Sequence, residues 1–165
     1  MHESVMAFVA KVAASGFGME GKSVLEVGSY DVNGSVRSLF EGTDYLGIDI
    51  EEGPGVDQVV DLGAELPFGD STFDLVLSTE MLEHDLKPWL SVCEWHRVLR
   101  DGGLLVVTAR GFDQERGAFP FHNPPDRWRY SRDAIEALLH DAGFMEREVI
   151  RDPQVPGWFA TALKS

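Results

Sequence analysis

The run Val24-Leu25-Glu26-Val27-Gly28-Ser29-Tyr30-Asp31-Val32-Asn33-Gly34 sets an acid inside an apolar strand and a glycine at its exit. A carboxylate in a buried strand is expensive unless it is paired or hydrogen-bonded. Glu26 therefore either meets a ligand or belongs to a structural ion pair. Gly28 has no side chain to hold a ligand away from the backbone. Asp49 ends the next apolar run, 21 residues after Gly28, where an acid accepts hydrogen bonds from ribose hydroxyls. A nucleotide-like ligand suits this pair, although the spacing alone does not separate a dinucleotide from another adenosine ligand. A Gly-x-Gly-x-x-Gly fingerprint would need glycine at 28, 30 and 33, and the sequence has Gly28, Tyr30 and Asn33. Nicotinamide-dependent oxidoreduction is weakened accordingly.

Proton-transfer candidates come next. His84 follows the fourth apolar run, where the mouth of a site is expected, and is the first candidate base. His122, within Phe119-Pro120-Phe121-His122-Asn123-Pro124-Pro125, either faces a substrate or stacks among its neighbours. His2, His96 and His140 read as terminal or helical surface. Glu80, Glu83 and Asp85 form an acidic group that usually marks a solvated helix start. Cys93 falls between helical apolar positions and reads as core. As the single cysteine it forms no intrachain disulfide, and no Cys/His group has zinc spacing, so no metal is expected.

These residues need a scaffold. Val5, Phe8, Val9 and Val12 predict an opening helix over 4–15, stopped by Gly16 and Gly18. Apolar runs at 23–28, 45–49, 56–61, 73–79 and 103–109 predict buried parallel strands. A helix over 87–100, with Pro88 in its first turn and Gly102-Gly103 at its end, separates the last two. Ser131 is suited to cap a helix carrying Ile135, Leu138 and Leu139, with Gly143 at its end. Strands near 144–150 and 158–163 would complete the sheet. The alternation predicts one α/β domain over 1–165: a doubly wound, mostly parallel seven-stranded Rossmann-like sheet with helices on both faces. Ligands are expected at the carboxyl ends of its strands. Residues 110–130 leave one of those ends and form a candidate substrate loop.

The chain has 165 residues and a net charge of −14, which disfavours binding to a phosphate backbone. It lacks an 18-residue apolar stretch and a basic leader before its first lysine, Lys11, so a cytoplasmic, membrane-free protein is expected. Residues 110–132 run the other way, with five arginines against three acids. That island suggests an anionic acceptor gripped by Arg127 and Arg129 beside Tyr130, unless the arginines simply pair with the acidic surface.

Taken in order, Leu25-Glu26-Val27-Gly28, Leu46-Gly47-Ile48-Asp49, Asp61-Leu62, Leu66-Pro67-Phe68, Phe73-Asp74-Leu75-Val76, Glu80-Met81-Leu82-Glu83-His84 and His96-Arg97-Val98-Leu99-Arg100-Asp101-Gly102-Gly103 carry a resemblance. Over roughly residues 22–144 the chain resembles the class I S-adenosylmethionine-dependent methyltransferases, type 11-like and of the small-molecule type. The resemblance implies S-adenosylmethionine as cofactor. It implies that Glu26 and Gly28 frame the methionine part, that Asp49 with Ile50 holds the ribose, that Asp61 and Leu62 flank the adenine, and that Ser78, Thr79 and Glu80 close over the sulfonium end. Tyr30 and Val32 stand where the family carries further glycines; a Tyr30 face near a sulfonium is suited to cation–π attraction, and packing is the alternative. The implied reaction is in-line methyl displacement to a small-molecule or glycan-type acceptor. Positioning supplies about 7–11 kcal/mol of barrier lowering in favourable cases, against about 10²–10⁴-fold from one general base, so orientation outweighs any single catalytic side chain. The alternative is a non-catalytic adenosine-ligand-binding or partner-binding module of the same fold.

Overall fold

Every second residue of the central strands is apolar toward one side, and the sheet they build has a core on each face. The computed structural model describes residues 2–15, 20–62, 65–112 and 126–165. Seven strands form one sheet: β1 Ser23–Val27, β2 Asp44–Asp49, β3 Gln58–Val59, β4 Phe73–Thr79, β5 Leu99–Arg110, β6 Met145–Arg151 and β7 Gly157–Leu163. Their order is β3-β2-β1-β4-β5-β7-β6. The first five run parallel, and β7 is antiparallel to both β5 and β6. The order of strand addition therefore reverses between β1 and β4, which puts the crevice expected to hold a ligand over Gly28 and the end of β4.

One face is covered by α1 Glu3–Ala14, whose Val5 and Val9 pack on Val24, Leu75, Leu77 and Val106. Phe8 stacks on Phe159 at 4.6 Å. The other face is covered by α2 Pro88–Val98 and α3 Arg132–Asp141 through Val92, Trp95, Val98, Ile135 and Leu139. Ser131 caps α3 by accepting from the Ala134 N–H, and Gly143 sits past its end at φ +93°.

Four expectations change. The β1–β2 connection holds only a single 3-10 turn, Arg37–Phe40, and no helix lies between β2 and β4 among the described residues, so alternation is incomplete. The run 56–61 contributes just two exposed strand residues, because β3 is an edge strand. Gly102 and Gly103 do not end α2: the helix stops at Val98 and the glycines form a bulge in β5, between the pairs Phe73↔Leu99 and Leu75↔Leu104. Gly102 takes φ +74° there, and a Cβ on Gly103 would lie 2.7 Å from the Arg100 carbonyl. Cys93 is exposed, since turning Val92, Trp95 and Val98 inward directs the next spoke of α2 to solvent. Gly16 and Gly18 lie outside the described residues.

Candidate active site at the carboxyl end of the sheet

The turn after β1 is tied to β2. Gly28 and Ser29 both donate to the Ile48 carbonyl, at 2.9 and 3.0 Å, and Gly28 takes φ +83° to do so. The Asp49 carboxylate accepts from the Tyr30 N–H at 3.0 Å and the Ile50 N–H at 2.7 Å. Two backbone donors thus fix its direction while each oxygen retains lone-pair capacity. Beside it, Ile50, Val59, Val60 and Asp61 line an open depression of about 340 Å³. Leu62 packs into the core next to it, with its carbonyl held by Ser91 Oγ. Of the residues expected at ribose and adenine, Ile50 and Asp61 line this recess, and Asp49 and Leu62 are their neighbours in the chain.

A second loop braces the turn. Asp31 N–H donates to the Pro54 carbonyl at 2.8 Å, and the Tyr30 ring lies so close to Gly53 that a Cβ there would stand 2.0 Å from it. Tyr30 thus packs against the loop that borders the recess and keeps part of its surface exposed. Gly28 likewise has an occupant: a Cβ on it would meet Met81 Cγ at 2.7 Å. The turn is shaped by Met81 as well as open to a ligand.

Glu26 is 3% exposed, and its Oε2 accepts from the Tyr45 hydroxyl at 2.6 Å. Burial pushes its carboxyl up to about 7, with the Tyr45 hydrogen bond pulling the other way. Hydrogen bonding, rather than an ion pair, is its structural support.

At the ends of β4 and β5, Ser78 and Thr79 are buried, and Ser78 Oγ has no hydrogen-bond partner. Glu80 holds φ +54°, with its N–H donating to the Thr108 carbonyl and Oγ1. Non-glycine residues rarely adopt this conformation, and it concentrates at functional sites. Its carboxylate lies 3.4 Å from Arg110 Nε and 3.7 Å from His2 Nε2. His2, read as terminal surface, is brought here because α1 lies across the sheet; nothing in its sequence neighbourhood signals this.

On the α2 side, the segment 126–130 is strapped to the turn after β4. The Glu83 carbonyl accepts from the Arg127 and Trp128 N–H groups at 2.7 and 3.1 Å. The Asp85 carbonyl accepts from Trp128 Nε1, and the Leu82 carbonyl from the Tyr130 hydroxyl at 2.9 Å. Tyr130 is 4% exposed, so its ring serves the core and offers no face to an acceptor. Arg129 is 10% exposed in its side chain and is paired with Asp126. Arg110 and Arg132 pair with Glu80 and Glu136. Arg127 is exposed, and His122 and Arg116 lie outside the described residues. His84 Nδ1 stands 3.2 Å from Asp126 Oδ1, an ion-pair contact off the ring's hydrogen-bonding direction. Its neighbour Glu83 is 2% exposed and has no hydrogen-bond partner for Oε2. Burial, then the Glu80 carboxylate, pushes Glu83 up to about 8. A polar residue inside an acidic run gives no sequence signal for such burial. Among the described residues no group of three His, Cys, Asp or Glu is arranged to hold a metal.

The sequence model of a methyltransferase domain matches residues 25–107, half of the chain, from β1 through the middle of β5. The chain belongs to the methyltransferase domain family. It is 33% identical over 111 residues to an uncharacterized methyltransferase of Mycobacterium marinum, covering 59% of this chain and 42% of that one. It is 36% identical over 84 residues to a probable S-adenosylmethionine-dependent methyltransferase of Mycobacterium tuberculosis, covering 50% and 31%. The chain thus spans less than half the length of these curated relatives. The Burkholderia thailandensis 1,6-didemethyltoxoflavin-N1-methyltransferase, solved with 1,6-didemethyltoxoflavin and S-adenosylhomocysteine bound, aligns with TM-score 0.76 at 18% identity over 99% of this chain and 79% of its own. A methyltransferase from Aquifex aeolicus aligns over the full length of both chains, with TM-score 0.68 and 16% identity. These likenesses establish the Rossmann-like methyltransferase fold.

Proposed function

We propose that this methyltransferase-family protein binds S-adenosylmethionine and transfers its methyl group to a small-molecule or glycan-type acceptor. The observation that carries the reading is the Asp49 carboxylate, fixed by the Tyr30 and Ile50 N–H groups beside the recess of Ile50 and Asp61. Asp49 and Ile50 hold the ribose, Asp61 and Leu62 border the adenine, and the Gly28 turn with Glu26 frames the methionine part. Ser78, Thr79 and Glu80 enclose the sulfonium end, with the unpartnered Ser78 Oγ as a polar atom for the ligand to satisfy. Tyr30 acts through the loop it packs on.

When bound, the cofactor supplies a methyl carbon already activated by positive sulfur. The protein's own task is to orient the acceptor in line with that carbon and exclude water. His84, partly exposed and held near Asp126, passes a proton between the site and solvent. The pairing of Arg129 with Asp126 weakens the case for an anionic acceptor. The cytoplasm supplies such a cofactor, and no described helix is long and apolar enough to cross a membrane.

Calorimetric titration with S-adenosylhomocysteine and with NAD tests the assignment. Binding of the former alone is expected, and preference for NAD overturns it. Turnover of S-adenosylmethionine with pooled acceptors then separates an enzyme from a non-catalytic binding module.

A further inference from the structure

The ionic groups at the mouth sort into two sets of partners and a remainder. Arg110 and His2 share Glu80, and Arg129 and His84 share Asp126. The remainder includes Asp85, whose Oδ1 accepts from the Lys87 N–H, and Glu83, the more deeply buried of the two, whose Oε2 has no hydrogen-bond partner. A buried carboxyl in that state carries a large desolvation cost, and its usual explanation in a native fold is a role that a ligand completes. It is not a loose surface acid. Its main chain fastens the 126–130 strap, and Glu80 and Arg110 face it from the strand ends, Asp126 from the strap, with Asp85 and Tyr130 nearby.

Charge decides what suits this position. A ligand carboxylate or phosphate would add a third negative group beside Glu80 and Asp126. An ammonium group satisfies Oε2 and relieves the repulsion among the carboxylates. Alongside, Trp89 and Trp128 pack edge to face at 6.2 Å with half-exposed rings, and Trp128 is anchored through its indole N–H to the Asp85 carbonyl. That pair offers an apolar, cation-tolerant wall for the carbon body of an amine.

We infer that the acceptor is an amine whose nitrogen Glu83 holds and deprotonates. The inference rests on the methyltransferase reading and specifies its substrate class. On binding, the ammonium replaces the proton that the carboxyl carries at neutral pH. One N–H proton then moves to Glu83 Oε2, leaving a nitrogen lone pair. The lone pair forms the new C–N bond to the methyl carbon, and the C–S electrons return to sulfur, giving a methylated ammonium and S-adenosylhomocysteine. The proton stays on Glu83 and restores the carboxyl with which the cycle began, so the proton displaced when the ammonium bound is the one the reaction releases.

The test uses the whole chain saturated with S-adenosylhomocysteine and needs no turnover. Propylamine and tyramine are titrated by calorimetry at pH 7 in buffers of different ionisation enthalpy, beside N-acetyltyramine and 4-hydroxyphenylacetate. At least one amine is expected to bind tenfold or more tightly than the neutral and anionic isosteres, with release of close to one proton. E83Q is expected to abolish both the preference and the proton release, leaving S-adenosylhomocysteine affinity within twofold. Equal or tighter binding of the isosteres, no binding of either amine, or an unchanged preference in folded E83Q overturns the inference. If E83Q does not fold, the isostere comparison and proton count on the unaltered chain still decide. Failure of S-adenosylhomocysteine itself to bind instead overturns the methyltransferase reading.

Discussion

Asp49 is the residue whose type, place and geometry agree most closely. Its carboxylate ends β2 and accepts two backbone N–H groups, so a ribose hydroxyl meets an acceptor already aimed. Hydrogen bonds to a charged group are typically worth about 1.5–3 kcal/mol, so Asp49→Ala should weaken S-adenosylhomocysteine binding about tenfold or more. Because the same oxygens hold the Tyr30 turn, a lowered thermal midpoint should accompany the loss, and Asp49→Asn should fall between the two. Calorimetry on folded variants checks this; unchanged affinity in Asp49→Ala removes the ribose assignment. Gly28 carries two burdens that the sequence does not separate. It needs a positive φ, and any Cβ on it would run into the Met81 side chain. Gly28→Val should therefore lose stability and ligand binding together. Gly28→Ala should cost roughly 1–2 kcal/mol for the left-handed backbone, and adding Met81→Ala should relieve only the Cγ part of the contact, since Met81 Cβ stays 2.8 Å from the new methyl, without removing the backbone cost. Denaturant melts of the single and double variants measure the two parts. The site's strand-end residues were legible because an acid or a glycine in an apolar run has few structural excuses. His2 and Glu83 were not legible, because their importance comes from burial and from neighbours far away in sequence.

The strap and the turn it grips are the element-scale counterpart. Tyr130 donates to the Leu82 carbonyl and Trp158 Nε1 donates to the Tyr130 carbonyl, so one residue ties the strap to the β4 exit and to β7. Tyr130→Phe deletes one buried hydrogen bond at a cost of about 0.5–1.5 kcal/mol, more if the Leu82 carbonyl finds no other donor. On the proposed reading the strap, fastened to the turn after β4, borders the acceptor rather than the ribose. The variant should raise acceptor KM while leaving S-adenosylhomocysteine affinity unchanged, and a comparable loss of both would show that the two sides are not independent. Elements with a clear start or cap were readable: α2 from Pro88 in its first turn, α3 from Ser131 and Gly143. The missing helix between β1 and β2 was not. Fold analogy supplies a helix there, whereas this chain spends those residues on Asp31, Gly34 and a single 3-10 turn.

For the molecule as a whole, the carboxyls with displaced pKa values predict an unusual pH dependence of stability. Burial raises Glu26 to about 7 and Glu83 to about 8, while unfolded glutamates titrate near about 4.3. Between those values the native chain retains protons that the unfolded chain releases, so stability falls as pH rises through the window. Asp74 acts oppositely. Against the effect of its partial burial, hydrogen bonds from Ser23 and Arg100 draw it down to about 2, so its contribution is present above the unfolded range and lost as pH drops toward that value. The net charge of −14 at pH 7 works with the two glutamates, since self-repulsion eases as carboxylates protonate. The ligand-free protein should therefore be most stable near pH 4–5, on the order of a few kcal/mol above its value at pH 8, which is a thermal midpoint difference of roughly 5–10 °C for a chain of this size. Replacing Glu26 and Glu83 together by glutamine should flatten the slope between pH 5 and 8 while leaving the acid limb set by Asp74. Scanning calorimetry across that range gives both slopes, and a midpoint that is equal or higher at pH 8 than at pH 5 would mean that the two buried glutamates ionise without penalty.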